Sequence, residues 1–348
     1  MGKFILRRVG VMILTALCLT FIVFFLTNLY PNLEKLAKTQ GNFRMSDEEV
    51  QTYLNNNGYL QPTFTKYGQW LGVLPGYVIE GTDGNVRAKC AEAGQPIEDA
   101  PRFCGVLQGD WGYSTVIKEP VDGIIGEKLR LTGILMFWVM LLMVPSALIL
   151  GVLAGMREGS RTDRTLSTFS IATTATPEYV SGVLFIAIFA SSAVGLKWFK
   201  GTATSAMDGI TFENFFLPVL TIAAYGMGYI ARMTRASMAE VMTSQYIRTA
   251  RLKGVSFPNI VLKHALRNAL IAPFTVIMLQ FPWLLNGVVI VETLFNYKGF
   301  GWALVLAAGN NDIELLLAVS VISVIVVLVT QLISDIGYVY LNPRISVT

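Results

Sequence analysis

The chain has 348 residues, of which 53% are apolar and only 14% are charged. Soluble domains carry about 25% charged residues, and several runs here approach or exceed the ~20 apolar residues that cross a bilayer. The composition therefore excludes a soluble protein and indicates a membrane protein with several spans. The net charge of +4 does not indicate nucleic acid binding, because no basic patch with interleaved aromatic residues accompanies it.

Six membrane-spanning helices are predicted from the apolar runs. They cover Val9–Tyr30, Leu131–Gly155, about 165–196 with an interruption at Pro177, Phe215–Ile230, about 269–291 and about 313–340. The first run is longer than the ~7–15-residue core of a cleaved signal peptide, and no small-residue cleavage site precedes Asn32. We therefore expect the first helix to remain in the mature protein.

The distribution of basic residues predicts the orientation of the chain. With the N-terminus inside, the cytoplasmic segments carry fourteen Lys and Arg residues against three acidic ones. The long segment 31–130 instead carries ten basic and thirteen acidic residues. Since short loops rich in Lys and Arg stay in the cytoplasm, both termini are expected inside and residues 31–130 outside. The positive net charge then reflects topology.

The predicted spans divide the chain into three parts. Residues 1–30 hold the N-terminal tail and the first helix, residues 31–130 form a polar loop subdomain outside the cytoplasm, and residues 131–348 form a core of five transmembrane helices. The loop contains four large aromatic side chains that need burial, at Trp70, Tyr77, Phe103 and Trp111. A structured subdomain built from short elements is therefore expected.

The three cysteines fall in two predicted environments. Cys18 lies inside the first span and is interpreted as a small packing residue. Cys90 and Cys104 both lie in the outer loop with thirteen residues between them. An oxidising compartment permits a disulfide there, worth ~3 kcal/mol in the chain-entropy treatment, and the alternative is two free thiols. The predicted topology favours the disulfide.

Proline and acidic residues interrupt the apolar runs. Pro177 lacks a backbone donor and kinks a helix, which indicates either a simple packing kink or a break that faces a polar path. Glu178 favours the path, because an ionisable residue within a span usually faces a partner or a polar route. The candidate residues of a translocation pathway are Pro177, Glu178, Tyr179 and, near the end of the fifth span, Glu292.

A basic segment separates the fourth and fifth spans. Residues 237–265 favour helix except at Gly254-Val-Ser-Phe-Pro258, which predicts a helix–turn–helix with Gly254 in the turn and Pro258 opening the second helix. A short helix parallel to the membrane would expose Tyr246, Arg248, Arg251 and Lys253. The small residues Ala250 and Gly254 would let another protein approach closely. From the charges alone, a plain cytoplasmic loop is the alternative.

Motifs in and around this segment resemble the permease subunits of ATP-binding-cassette (ABC) importers of the dipeptide, oligopeptide and nickel family. Tyr246-Ile-Arg-Thr-Ala-Arg-Leu-Lys-Gly254 and His264-Ala-Leu-Arg-Asn-Ala269 are similar to that family's cytoplasmic coupling loop. Arg232 and Arg235, which could be ordinary membrane anchors, resemble its Arg-x-x-Arg. Two further motifs are similar, Gly109-Asp-Trp-Gly-Tyr-Ser114 and Val291-Glu-Thr-Leu-Phe-Asn-Tyr-Lys-Gly-Phe-Gly301, with Lys298 where Pro is usual. The resemblance covers residues 1–30 and roughly 105–348.

This resemblance implies a fold and a location. The fold is an all-α polytopic membrane protein with six transmembrane helices, N-in and C-in, of the type I ABC importer permease class, with the large extracytoplasmic loop subdomain between helices 1 and 2. The location is the inner membrane of a bacterium. The implied coupling loop is 236–265, and the implied ATPase-contacting residues in and beside it are Tyr246, Arg248, Ala250, Arg251, Lys253, Gly254, His264 and Asn268.

The resemblance also implies partners and cargo. The expected partners are a homologous second permease subunit in a heterodimer, two ABC ATPase subunits, a periplasmic solute-binding protein and membrane lipid. The permease would form half of a pathway for di- or oligopeptides. Oligosaccharides, opines and nickel complexes, which close relatives handle, are the alternative cargo.

The sequence lacks the residues that several kinds of chemistry require. The chain has no Gly-x4-Gly-Lys-Ser/Thr phosphate loop, so ATP and Mg are expected on the partner ATPases and no cofactor on this chain. The single histidine, His264, excludes a multi-His metal site and makes a Ser-His-Asp triad implausible, so we expect a non-catalytic subunit. An ion-coupled secondary transporter, the alternative of another class, would need an internal repeat and paired intramembrane charges. A membrane-embedded enzyme would need several converging His, Asp or Glu residues.

Overall fold

The computed structural model describes residues 2–91, 95–192 and 196–341. Residues 92–94 of the predicted loop, 193–195 of the predicted third span and 342–348 of the predicted core lie outside the described residues, as does residue 1. The chain divides into two compact units. The core unit comprises Met1–Val9, Arg130–Trp302 and Val326–Thr348, and the loop unit comprises Gly10–Leu129 and Ala303–Ile325.

The described residues are mostly helical. The helices are α1 (Gly2–Thr27), α2 (Tyr30–Gln40), α3 (Asp47–Asn56), α4 (Thr63–Leu71), α5 (Val121–Gly155), α6 (Arg161–Ala175), α7 (Glu178–Phe189), α8 (Phe212–Met242), α9 (Gln245–Leu252), α10 (Phe257–Asn259), α11 (Leu266–Ala269), α12 (Ile271–Leu294), α13 (Phe300–Gly309) and α14 (Ile313–Leu341). A π-helical turn, Ile260–Ala265, joins α10 to α11. Short 3₁₀ turns occur at Ile97–Asp99, Val106–Gln108 and Thr204–Ala206.

Four helical stretches are long and apolar enough to cross a membrane, namely Leu6–Thr27, Val121–Gly155, Phe212–Met242 and Ile313–Gly337. Two bent pairs qualify together: α6 with α7, bent by 106°, and Phe257–Ala269 with Ile271–Gln280, bent by 53°. The described residues therefore hold four spans, or up to six if each bent pair is one span. This confirms a mostly helical polytopic membrane protein, whereas the count of six and the orientation stay predictions.

Residues of the capping type begin several of these helices. Ser46 precedes α3, where its hydroxyl accepts from the backbone N of Glu49 at 3.4 Å and the Glu49 carboxylate accepts from the Ser46 backbone at 2.7 Å. Thr211 and Asn214 make the same reciprocal pair at the start of α8, with bonds of 3.3 and 2.8 Å. Each pair satisfies backbone donors that the first helical turn leaves free.

The core unit is built around α8. Its apolar cluster contains Leu135 and Met143 of α5, Ile222 and Ile230 of α8 and Leu284 of α12, each with no exposed surface.

Two glycines of α5, Gly151 and Gly155, lie directly against α8. A Cβ added at Gly151 would lie 2.6 Å from the carbonyl oxygen of Ala231, and one at Gly155 would lie 2.5 Å from that of Arg235. Glycine at both positions therefore lets the two helix backbones touch.

The loop unit has a separate apolar cluster. The loop helices contribute buried residues such as Leu36, Leu54 and Trp70, while Phe24 of α1 and Ile313 of α14 complete the cluster. The short loop helices offer little apolar surface, so residues outside the predicted 31–130 subdomain join it. The expectation that all four loop aromatics are buried is wrong for Phe103, which is 48% exposed.

A small hairpin departs from the predicted all-α fold. Strands β1 (Val78–Glu80) and β2 (Val86–Ala88) pair antiparallel with Ile79 opposite Arg87. The turn between them contains Gly84 at φ +73, a conformation that glycine adopts without steric cost, and Asp83, whose carboxylate lies 2.6 Å from the Arg87 guanidinium. The all-α prediction is therefore wrong at the hairpin, because the turn-rich segment pairs with itself.

The three cysteines have different environments in the structure. Cys90 and Cys104 form a disulfide, with their Cα atoms 5.5 Å apart. The bond links the segment that follows β2 to the residues just before the 3₁₀ turn Val106–Gln108. Cys18 is free and exposed. Its interpretation as a packing residue is therefore wrong within this chain, because its side chain faces outward from α1.

Candidate functional site

The basic segment folds as α9, a tight turn and the helical stretch Phe257–Ala269. Ile247 and Ala250 lie three positions apart on α9, so they share one helix face, and both are buried. The cluster that covers them contains Met238 of α8 together with Ile260 and Ala265 of the second helical stretch. The inward face of α9 is thus fixed to the core unit by apolar packing.

Gly254 ends α9 in a left-handed conformation, with φ +73. The backbone N of Val255 donates to the carbonyl of Ala250 at 3.2 Å, and that of Gly254 donates to the carbonyl of Arg251 at 3.0 Å. These two bonds define a Schellman motif, which satisfies the last carbonyls of a helix. A Cβ at Gly254 would meet no atom within 4 Å. The position therefore requires glycine for its backbone angle and not for close packing.

The outward side of α9 is basic, and the exposed side chains on it and at its C-terminal end include Tyr246, Arg248, Arg251 and Lys253. The Nδ2 atom of Asn268 donates to the Tyr246 hydroxyl at 3.0 Å, which joins the two helical stretches at the surface. His264 is also exposed. Two apolar residues that sequence reasoning did not single out are exposed here as well, Leu252 at 82% and Leu262 at 63%. Cationic and apolar groups on one surface suit contact with another protein.

Ala250 differs from the expectation that it lets a second protein approach. It is only 8% exposed, so its small side chain packs α9 against its own chain. Seven of the eight predicted coupling residues remain at the surface: Tyr246, Arg248, Arg251, Lys253, Gly254, His264 and Asn268. The three-residue spacing from Ile247 was the signal that placed Ala250 inward.

An ion pair lies beside the segment, on the part of α8 that leads into it. The Arg235 guanidinium donates to both carboxylate oxygens of Asp163, with distances of 3.0 and 2.8 Å, and lies 3.4 Å from Glu158. The Asp163 side chain is 4% exposed, and its backbone N donates to the Ser160 hydroxyl at 3.1 Å. Sequence reasoning missed this pair, although the Ser160-x-x-Asp163 capping pattern marked one of its members.

The neighbouring basic residues make weaker contacts. The Arg157 guanidinium lies 5.2 Å from the centre of the Phe257 ring, a distance suited to a cation–π interaction. This contact ties the turn after α5 to the start of the second helical stretch. Arg232 is exposed, 6.0 Å from the centre of the Tyr229 ring. In the Arg-x-x-Arg pattern, Arg235 is therefore paired with acidic residues of its own chain, whereas Arg232 faces outward.

The predicted pathway residues lie at the start of α7 and at the end of α12. Pro177 precedes α7 at the 106° bend from α6, Glu178 is buried, and Tyr179 is 55% exposed. Glu292 lies at the end of α12, fully buried. Its carboxylate accepts from the Thr132 hydroxyl, and from the backbone N of Trp302 at 2.9 Å. Glu292 thus belongs to a hydrogen-bonded cluster at the start of α13.

Four to six apolar helices and an exposed basic helical segment define a polytopic membrane protein with a basic surface between two of its apolar helices. The sequence profile of the family "Binding-protein-dependent transport system inner membrane component" matches residues 147–347. This match covers more than half of the chain and includes the whole basic segment. The chain therefore belongs to this family.

Curated relatives resemble the chain over most of its length. It is 35% identical over 253 residues to the "Probable peptide ABC transporter permease protein y4tP" of Sinorhizobium fredii (strain NBRC 101917 / NGR234), covering 72% of this chain and 80% of that protein. It is 29% identical over 352 residues to the "Oligopeptide transport system permease protein AppB" of Bacillus subtilis (strain 168), covering 99% and 100%. It is 33% identical over 239 residues to the "Glutathione transport system permease protein GsiC" of Escherichia coli (strain K12), covering 69% of this chain and 76% of that protein.

One solved structure, "Crystal structure of an amino acid ABC transporter with histidines", aligns with a TM-score of 0.46 and 15% identity over 62% of this chain and 93% of that one.

Family membership alone makes the chain a transport permease of the inner membrane. It also implies partnership with ATPase and solute-binding subunits. The prediction of an ABC importer permease is thereby confirmed.

Proposed function

We propose that this chain forms half of a translocation pathway for short peptides and that its basic segment couples the pathway to a separate ABC ATPase. The observation that carries the coupling role is the two-sided α9. Its inner face is buried in the core unit, while its outer face presents cations and Leu252. A movement imposed on the outer face by a partner therefore passes to α8 through packed side chains.

The topology proposed is six spans with both termini inside and residues 31–130 outside. It counts each bent helix pair as one span. It is supported by the excess of Lys and Arg in the short loops and by the Cys90–Cys104 disulfide, since such bonds persist in oxidising compartments. The proposed division is 1–30 for the tail and first span, 31–130 for the outer loop and 131–348 for the permease core with coupling loop 236–265.

The proposed assembly contains a homologous second permease, two ATPases and a periplasmic solute-binding protein, in lipid. ATP and Mg are assigned to the ATPases. ATP binding would close the ATPases and shift the permease pair between inward- and outward-facing states, a two-state equilibrium biased by a ligand on another subunit. Pro177, Glu178, Tyr179 and Glu292 are proposed to bound the moving part of the pathway.

The peptide cargo is supported by the names of the relatives, which are a peptide, an oligopeptide and a glutathione permease. The test is uptake by the whole importer in proteoliposomes with ATP. Labelled trialanine is expected to accumulate, whereas an oligosaccharide or a nickel complex is not. Accumulation of either of the latter without trialanine would replace the proposed cargo.

Coupling is tested in the same vesicles with the double variant R248E/R251E. Charge reversal on the outer face of α9 should lower ATP-dependent uptake roughly ten-fold or more, while the permease still inserts. The matched control is R44E, which reverses an exposed arginine of the loop unit and should leave uptake unchanged. Normal uptake by the double variant, or uphill transport by this chain on an ion gradient without any ATPase, would overturn the coupling role.

A further inference from the structure

The loop unit contains a cavity of about 960 Å³, at the upper end of the ~300–1,000 Å³ typical of small-molecule sites. Its walls include the aromatic side chains Tyr59, Trp70 and Tyr77 and the Cys90–Cys104 disulfide. The Tyr77 ring packs on Gly58, where an added Cβ would lie 2.8 Å from the ring. Aromatic packing and a covalent bond therefore hold the cavity in shape.

Two lysines line this cavity and hydrogen-bond only neutral acceptors among the described residues. The Lys66 ammonium donates to the carbonyl of Tyr59 at 2.8 Å and to Asn28 Oδ1 at 3.2 Å. The Lys89 ammonium donates to the carbonyls of Gln69 at 2.7 Å and Cys104 at 3.4 Å. An ammonium carries three donors, so each lysine retains one for a further acceptor. Burial lowers the pKa of both side chains, which an anionic ligand group would offset.

Two carboxylates line the same cavity. Glu314 lies in the first turn of α14, and Asp110 lies in the Gly109–Ser114 motif. A Cβ at Gly112 would collide with the Glu314 carboxylate, so glycine at this position leaves room for that group. The Glu314 and Asp110 charges act on Lys89, opposing the effect of burial on its pKa. The cavity is thus lined by acidic as well as basic side chains.

The charge pattern selects the chemistry of a ligand. A simple anion would be attracted by the lysines but repelled by the two carboxylates. A simple cation would be attracted by the carboxylates but repelled by the lysines. A neutral sugar would supply no charge to either the lysines or the carboxylates. A short peptide with free termini carries one charge of each sign and an apolar body, so it matches the whole lining.

We propose that the loop unit binds a short zwitterionic peptide in this cavity, with its carboxylate at Lys66 and Lys89 and its amino group at Glu314 and Asp110. The aromatic wall of Tyr59, Trp70 and Tyr77 would cover the peptide side chains. The inference takes its substrate class from the proposed function, and it adds a binding site on the permease itself. Cargo would then meet the permease at a defined place before it enters the spans.

The test is calorimetric titration of the full-length chain in lipid nanodiscs. Trialanine is expected to bind saturably, and trialanine amide, N-acetyl-trialanine and the doubly blocked peptide are expected to bind roughly 10–100-fold more weakly for each charge removed. The variants E314Q and K89Q should each weaken trialanine by a similar factor. The matched controls are E34Q and K38Q, which remove an ion pair on α2 in the same unit and should not change binding.

Absence of saturable binding, or equal binding of the blocked peptide, would overturn the inference, as would E314Q and K89Q binding like the wild type. Should a variant misfold, which a lowered apparent melting temperature in nanodiscs would reveal, the comparison of blocked and free peptides on the wild-type chain still decides. Trialanine uptake by the whole importer separates the two proposals. If the importer takes up trialanine but the isolated chain does not bind it, this inference alone is wrong. If the chain binds trialanine but the importer does not take it up, the proposed function is wrong.

Discussion

The hydroxyl of Ser114 donates a hydrogen bond to the carboxylate of Asp312 across 2.6 Å, although 198 positions separate the two residues. Asp312 is fully buried and also accepts from the backbone N of Val116 at 3.2 Å and of Leu315 at 3.3 Å. The bond to Leu315 caps the start of α14. One carboxylate therefore joins the Gly109–Ser114 motif to a helix from the other end of the chain.

Replacing Ser114 with alanine should destabilise the protein by about 1–3 kcal/mol, because it removes one donor from a buried charged acceptor. The measurement is the apparent melting temperature of the full chain in nanodiscs. T39A is the control, since the Thr39 hydroxyl is exposed and donates only to the Lys35 carbonyl of its own helix. Equal melting of S114A and T39A would show that the bond contributes nothing to stability.

Replacing Arg235 with lysine keeps the charge but loses the two parallel bonds to Asp163, which lysine cannot reproduce. The Arg235 side chain is 31% exposed, so we expect a loss of about 1–3 kcal/mol, below that of a fully buried pair. Thermal unfolding of the purified chain measures it. R232K, one turn earlier on α8, keeps its contact with the Tyr229 ring and should be neutral. An R235K protein as stable as R232K would contradict the assigned role.

Replacing Gly254 with valine should strain the left-handed turn by about 1–2 kcal/mol or more and reduce the coupling of ATP hydrolysis to uptake. G254N should behave close to the wild type, because asparagine tolerates this conformation. The ratio of ATP hydrolysed to trialanine transported in proteoliposomes is the measurement.

G84V is the control for this strain, since Gly84 has the same φ of +73 and the same open surroundings in the hairpin turn. It should carry a similar penalty in stability without uncoupling. If G254V transports with a normal ratio, the turn has no part in coupling.

Replacing Cys90 and Cys104 with serine should destabilise the loop unit by ~3 kcal/mol in the chain-entropy treatment. Proteolysis of the loop unit in the double variant, compared with the wild type, measures the effect. Labelling provides an independent check on the wild type. A membrane-permeant alkylating reagent should modify Cys18 alone without reductant and all three cysteines after reduction and unfolding. Labelling of Cys90 and Cys104 without reductant would mean that the bond does not form in the cell.

Features that depend on the backbone limits of one residue type were predictable from the sequence. The turn at Gly254 and the break at Pro177 are of this kind, and both occur where they were expected. The basic outer face of α9 could be predicted from the sequence equally well, because charged residues seldom lie in a core.

Features that depend on distant pairing were not predictable in this way. Arg235 meets Asp163 across 72 positions, and Glu292 meets Thr132 across 160. The sequence around Arg235 does not indicate Asp163 as its partner, and the sequence around Glu292 does not indicate Thr132. The unusual position of an acid near the end of a span predicts a pathway role for Glu292, which stays a prediction, but it does not predict that the Glu292 carboxylate accepts from Thr132 and from the backbone of Trp302. Ala250 was assigned by its size, although its spacing from Ile247 already placed it on the inner face.

The contact of Gly151 and Gly155 with the backbone of α8 has a mechanical consequence. Two helices separated by side chains can rotate or slide by changing rotamers, but helices that meet at carbonyl oxygens have no such freedom. We therefore expect the second half of α5 and the adjoining turns of α8 to move as one rigid body. Displacement of the end of α8 that leads into the basic segment is therefore expected to displace the second half of α5 as well.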